Sequence, residues 1–182
     1  MRQPVHSQEV QQFLEALGKA VHIPCKIFLV GGTSLVFFGL RVETIDIDLT
    51  FEVDNAHHGK LIDAIRRLKE ELNLNIEEAS PGDFIPLPPG WRDRCIYIGT
   101  FGSVIAFHFD LYSTTLSKLE RGTQIDFEDI MSLITNEKIE WKKFEELYQA
   151  ILPDYGTKSL KQDPARIRRN FEILKELIGS KW

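Results

Sequence analysis

The sequence predicts an α+β protein: a mixed sheet flanked by helices, followed by a helical C-terminal segment. Three observations carry this. Short apolar runs bounded by glycine alternate with helical periodicity through the first 112 residues. Residues 45–53 alternate apolar and polar with the period of a half-buried strand. From Ser113 onward the pattern is helical throughout. The expected organisation is a core over residues 1–112 and a helical segment over 113–182 packed on it. With 43% hydrophobic and 27% charged residues, the chain has the balance of a globular protein and not of a disordered one.

Each element has a local reason. Ser7 can cap a helix running to about Val21, with Val10, Phe13, Leu14 and Leu17 on one face. Ile27–Val30 reads as a buried strand ended by Gly31 and Gly32, with a short helix from Thr33 to Phe38 behind it. The period-two run follows, with Ile45, Ile47 and Leu49 expected in the core. A helix over 56–72 turns Leu61, Ile62, Ile65 and Leu68 inward. Residues 80–90 are too rich in proline and glycine for regular structure. Cys95–Phe101 and Val104–Tyr112 form two strands joined at Gly102 and Ser103 as a hairpin. Helices are expected over about 114–121, 126–136, 140–151 and 164–178.

Composition narrows the function. No apolar run reaches the length of a membrane span. Met1–Gln12 is polar and lacks the apolar centre of a signal peptide, so a cytoplasmic location is expected. Cys25 and Cys95 form no CxxC pattern and read as two reduced thiols. A net charge of -5 argues against broad electrostatic capture of nucleic acid, and leaves Arg166, Arg168 and Arg169 as the candidate local basic patch. His57 and His58 lack metal-ligand spacing, Trp91, Trp141 and the phenylalanines read as packing, and Trp182 reads as a terminus.

The chemistry concentrates around Asp46 and Asp48. Residues two apart on a strand share a face, so two carboxylates stand side by side. Like charges that close repel, and a cation between them removes the cost. Magnesium takes one or two carboxylates together with substrate phosphates. A solvated strand face gives the same two residues with no ligand. Upstream, Gly31 and Gly32 allow close backbone approach, and Ser34 stands near a helix start whose N–H groups attract anions. A tight strand-to-helix turn gives the same glycines. Arg41 can grip phosphate with its planar fork, or sit on the surface. Asp110, at the end of an apolar strand, can supply a third carboxylate or cap the next helix. Asp126 and Asp129 share a helix face and can pair with Lys118 or Arg121, or serve only the helix dipole.

Phe28-Leu29-Val30-Gly31-Gly32-Thr33-Ser34-Leu35, then Gly39-Leu40-Arg41, then Thr44-Ile45-Asp46-Ile47-Asp48-Leu49 resembles the DNA-polymerase-β-like nucleotidyltransferase superfamily, with thirteen residues between Gly32 and Asp46. The variant is most similar to the bacterial branch of AbiEii-type and MenT-toxin-like proteins. Leu116–Arg121 and Asp126–Ile130 resemble a second block of that branch, and Asp163-Pro164-Ala165-Arg166 fits it. The resemblance implies a nucleotidyltransferase fold and Mg2+ on Asp46, Asp48 and Asp110. It implies catalytic roles for these three with Lys118 and Asp126, and nucleotide contacts from Gly31, Gly32, Ser34, Arg41 and Thr44. It implies transfer of a nucleoside monophosphate from an NTP to an acceptor hydroxyl on RNA, protein or a small molecule, with an antitoxin as partner. The competing expectation is a catalytically silent module of the same fold that binds a nucleotide or a protein.

Overall fold

The computed structural model describes residues 4–157 and 162–179, and five strands and seven α-helices form among the described residues. The architecture is α+β, as the sequence predicts; Trp182 lies outside the described residues. The chain divides into two compact units, Met1–Ser80 with Cys95–Phe109, and Pro81–Arg94 with Asp110–Trp182.

The first unit holds α1 (Ser7–Ala20), β1 (Cys25–Leu29), α2 (Gly31–Phe37), β2 (Ile47–Val53), α3 (His58–Glu71), β3 (Ile76–Glu78), β4 (Ile96–Phe101) and β5 (Val104–His108). Its five strands form one mixed sheet in the order β3-β2-β1-β5-β4. The outer pairs differ: β2 and β3 are parallel, whereas β4 and β5 are antiparallel. In the centre β1 runs antiparallel to β2 and parallel to β5. Cys25, Ile27 and Leu29 of β1, Ile47 and Leu49 of β2 and Val104 and Ala106 of β5 join Phe13, Leu14, Leu17, Leu61 and Leu68 of α1 and α3 in one apolar core. Strand alternation therefore turns Lys26, Phe28, Asp48, Thr50 and Phe107 to the other face.

Several boundaries differ from the sequence reading, each for a physical reason. His6, not Ser7, is the N-cap of α1; its backbone N–H donates to Glu9 Oε2 at 2.9 Å. Helix α2 begins at Gly31, so the two glycines form its first turn instead of ending the strand before it. Strand β2 begins at Ile47; Ile45 precedes it and is 78% exposed, outside the core where period-two counting placed it. Ala64, more than Ile62, fills the inner face of α3. Strand β5 stops at His108, because Asp110 turns the chain into the next helix. Pro81–Asp83 makes one 3-10 turn within the proline-rich stretch. Strand β3 was not expected at all. The two cysteines are free, and burial pushes the Cys25 thiol up from its ordinary pKa.

The second unit holds α4 (Leu111–Arg121), α5 (Gln124–Thr135), α6 (Trp141–Ile151) and α7 (Pro164–Gly179). Leu116 and Leu119 of α4, Ile130 and Leu133 of α5, Phe144 and Tyr148 of α6, and Ile167, Phe171 and Leu174 of α7 are buried there. Tyr148 stacks on Phe171 with 3.9 Å between ring centroids. Glu120 is buried and accepts from the Tyr155 hydroxyl and the Arg166 guanidinium, so Arg166 serves the interior of this unit. No helix among the described residues is long and apolar enough to cross a membrane.

Candidate active site around the carboxylate cluster

Asp46 ends the loop before β2 and Asp48 is the second residue of that strand. Parallel pairing sets Asp48 level with Glu77 of β3. Carboxylate oxygens of Asp46, Asp48 and Glu77 all lie within 4.8 Å of one another. Three oxygen donors at this spacing suit a hard divalent cation, and like charges held this close favour one. The third carboxylate comes from a strand too short to announce itself in the sequence. Across β1 from β2, Phe109 donates its backbone N–H to the Leu29 carbonyl and packs edge-on against Phe28, so an aromatic ring extends the β5 line there.

The glycine turn lies directly against this cluster. Gly31 has a φ of +55°, and a Cβ added to it would stand 3.0 Å from Asp48 Oδ2. A Cβ on Gly32 would stand 2.7 Å from Thr44 Oγ1 and 3.2 Å from Arg41 Nη1. The structure thus brings together Gly31, Gly32, Arg41, Thr44, Asp46 and Asp48. The residue that fastens the turn to the pair is Thr33, which the motif reading did not single out. Its hydroxyl accepts from the Asp48 backbone N–H at 2.8 Å and donates to the Asp46 carbonyl at 3.2 Å. Thr44 is itself fixed by two backbone hydrogen bonds to Val5, which is fully buried. Ser34 is also buried, and its hydroxyl lies 2.8 Å from His108 Nδ1.

The remaining candidates belong to the second unit, where each is paired. Asp110 is fully buried and caps α4. Its two oxygens accept from Arg94 Nε at 3.0 Å and Nη2 at 2.8 Å, and from the Ser113 hydroxyl at 2.6 Å. Lys118 is 4% exposed and lies 2.7 Å from Asp129 Oδ2 and 3.6 Å from Asp126 Oδ1. Asp126 stands at the third position of α5 in a capping box with Thr123 and accepts from Arg121 Nε at 2.7 Å. Burial works to raise the Asp126 pKa, but the bonds from Arg121 and Thr123 and the charges of Arg121 and Lys118 outweigh it and hold it below the usual carboxylate value.

The glycine turn thus packs on the carboxylate pair at the start of β2, and a family match covers most of the chain. Residues 8–176 match the family described as "Nucleotidyltransferase of unknown function (DUF6036)". The chain belongs to this family. Membership places it in the nucleotidyltransferase superfamily that its Gly-Gly and Asp-x-Asp motifs resemble. No curated protein and no solved structure matches it.

Proposed function

We propose that the chain transfers a nucleoside monophosphate from a nucleoside triphosphate to an acceptor hydroxyl, with Mg2+ held by Asp46, Asp48 and Glu77. The observation that carries this is the three-carboxylate cluster seated against Gly31. An ion there would offset the charge of the phosphates and of the departing pyrophosphate. The chain's own groups do the positioning. Gly31 and Gly32 let the turn's backbone lie close against Asp48, Thr44 and Arg41. Arg41, whose Nη1 lies over Gly32, offers paired donors to phosphate oxygens, and the Thr44 hydroxyl beside it offers another. Thr33 keeps the turn and the aspartates at fixed separation, which lowers the reorganisation needed at the transition state. Catalytic roles for Asp110, Lys118 and Asp126 rest on the sequence resemblance.

The same resemblance adds a partner to the proposal: an inhibitory antitoxin encoded beside this chain, with an RNA end, a protein or a small molecule as acceptor. Co-expression with the neighbouring reading frame tests the partner. The activity is tested by incubating the chain with each labelled triphosphate, magnesium and cell extract, and following label into an acceptor. Asp48→Asn keeps volume and hydrogen-bonding capacity but removes one charge. It should cut transfer by about 100-fold or more, the range for losing one electrostatic stabiliser, while the unfolding curve stays cooperative. Transfer by the variant at the wild-type rate would remove the Asp pair from the mechanism.

A further inference from the structure

Ser34 closes the Gly31–Ser34 turn, yet its side chain points at a partner behind the turn. It is fully buried, and its Oγ lies 2.8 Å from Nδ1 of His108. His108 is itself 5% exposed and ends β5, level with Leu29 of β1. Its ring stacks on Phe38, just past the end of α2, with 3.8 Å between centroids and 20° between planes. One imidazole therefore grips α2 at Ser34 and the following Phe38, one helical turn apart. A leucine or phenylalanine would fill such an apolar site without needing a polar partner. A buried imidazole is costly unless its nitrogens are bonded, and the Ser34 bond is one that an apolar residue there could not make.

The same helix carries Gly31, Gly32 and Thr33. Thr33 holds the Asp46 carbonyl and the Asp48 N–H, and Gly31 lies against the Asp48 carboxylate. A continuous line of contacts runs from β5 through His108 and Ser34 into α2, and from Thr33 to the backbone of Asp46 and Asp48. We infer that His108 is a positioning residue: with Ser34 it fixes α2 so that the glycine turn and the Asp46–Asp48 pair present one preformed seat for a nucleoside triphosphate. Ser34 acts from behind the seat, through its bond to His108, and not by touching phosphate. The inference rests on the nucleotidyl-transfer reading and assigns the affinity of that site to a contact on its far side.

The test uses Ser34→Ala, His108→Leu, the double variant, and His108→Asn, whose amide places a polar atom near the Nδ1 position. Binding of non-hydrolysable ATP and GTP analogues with magnesium, KM and kcat for transfer, and hydrogen exchange over 28–38 and 46–50 are measured on the full chain. Ser34→Ala and His108→Leu should each weaken nucleotide binding and raise KM by about tenfold, the scale of one hydrogen bond, with kcat changed far less. The double variant should lose no more than His108→Leu alone, because Ser34 then has no bond to His108 left to lose. His108→Asn should recover most of the affinity. Multiplying losses, a His108→Asn variant no better than His108→Leu, or unchanged affinity in both singles would overturn the inference. A wild-type chain that neither binds nor transfers nucleotide sinks the transfer reading instead. The anchor is then judged by exchange alone: faster exchange over 31–38 and 46–50 in both singles upholds it, and unchanged exchange overturns it.

Discussion

Asp126 is fully buried, and yet its surroundings keep it ionised. Arg121, Thr123 and Lys118 together outweigh the burial that opposes the charge, so its folded pKa lies below the unfolded value of about 3.9. A depressed carboxylate pKa contributes stability that is present above the unfolded pKa and lost as pH falls through the folded one. Asp126→Asn should therefore cost about 3 kcal/mol at pH 7, the lower end for breaking a buried ion pair. The gap between variant and wild type should narrow below about pH 4. Urea unfolding at a series of pH values reads both numbers, and a gap that does not change with pH would place the cost in packing. At this scale the sequence was partly legible. Asp46, Asp48, Gly31, Gly32, Arg41 and Thr44 stand in one linear motif, so residue type and spacing sufficed to find them. Thr33 stands in the same motif without being singled out, and Glu77 and His108 have no such local signature. Glu77 reaches the cluster only because β3 lies beside β2, and His108 reaches Ser34 from 74 residues away.

Elements show the same division between local and long-range information. The amphipathic helices α1, α3, α6 and α7 were readable because 3.6-residue periodicity is a property of each segment alone. Strand β3 spans Ile76–Glu78 and is too short for any period to show, and its existence depends on the backbone edge that β2 offers. Helix α2 was read two residues late because paired glycines look like punctuation. Inside the structure they are the first turn of a helix that must sit close to Asp48. The end of α4 is another such close approach. Gly122 caps it with φ +64°, and a Cβ there would fall 2.1 Å from Asn170 Nδ2. That amide donates to the Leu119 carbonyl at 2.7 Å. Gly122→Ala would force a left-handed alanine and push Asn170 off the helix end. The two effects should cost roughly 2–5 kcal/mol together. Chemical denaturation measures this, and a variant as stable as wild type would mean that α7 gives way at Asn170 without loss.

At the scale of the molecule, the proposed metal seat predicts that stability depends on a cation. Asp46, Asp48 and Glu77 repel one another in the folded chain, whereas unfolding separates them. A divalent ion that binds the folded cluster and not the unfolded chain stabilises by mass action, by about 2.7 kcal/mol at a hundred times its Kd. For a chain of this size that is roughly 5–11 °C in Tm. Magnesium or manganese, added after EDTA treatment, should raise the melting temperature by this amount in the wild type. Asp48→Asn should reverse the pattern: a higher Tm without metal, because one repelling charge is gone, and little further gain with it. Glu77→Gln separates the strand-borne third carboxylate from the motif pair. If Glu77 is a ligand, its variant shows a smaller gain than wild type at the same metal concentration. Should the two units melt in separate steps, only the step that reports the sheet should move, because all three carboxylates belong to that unit. A wild-type Tm indifferent to both metals, or equal gains in all three proteins, would show that the cluster is not the seat of a cation and would remove the metal from the proposed reaction.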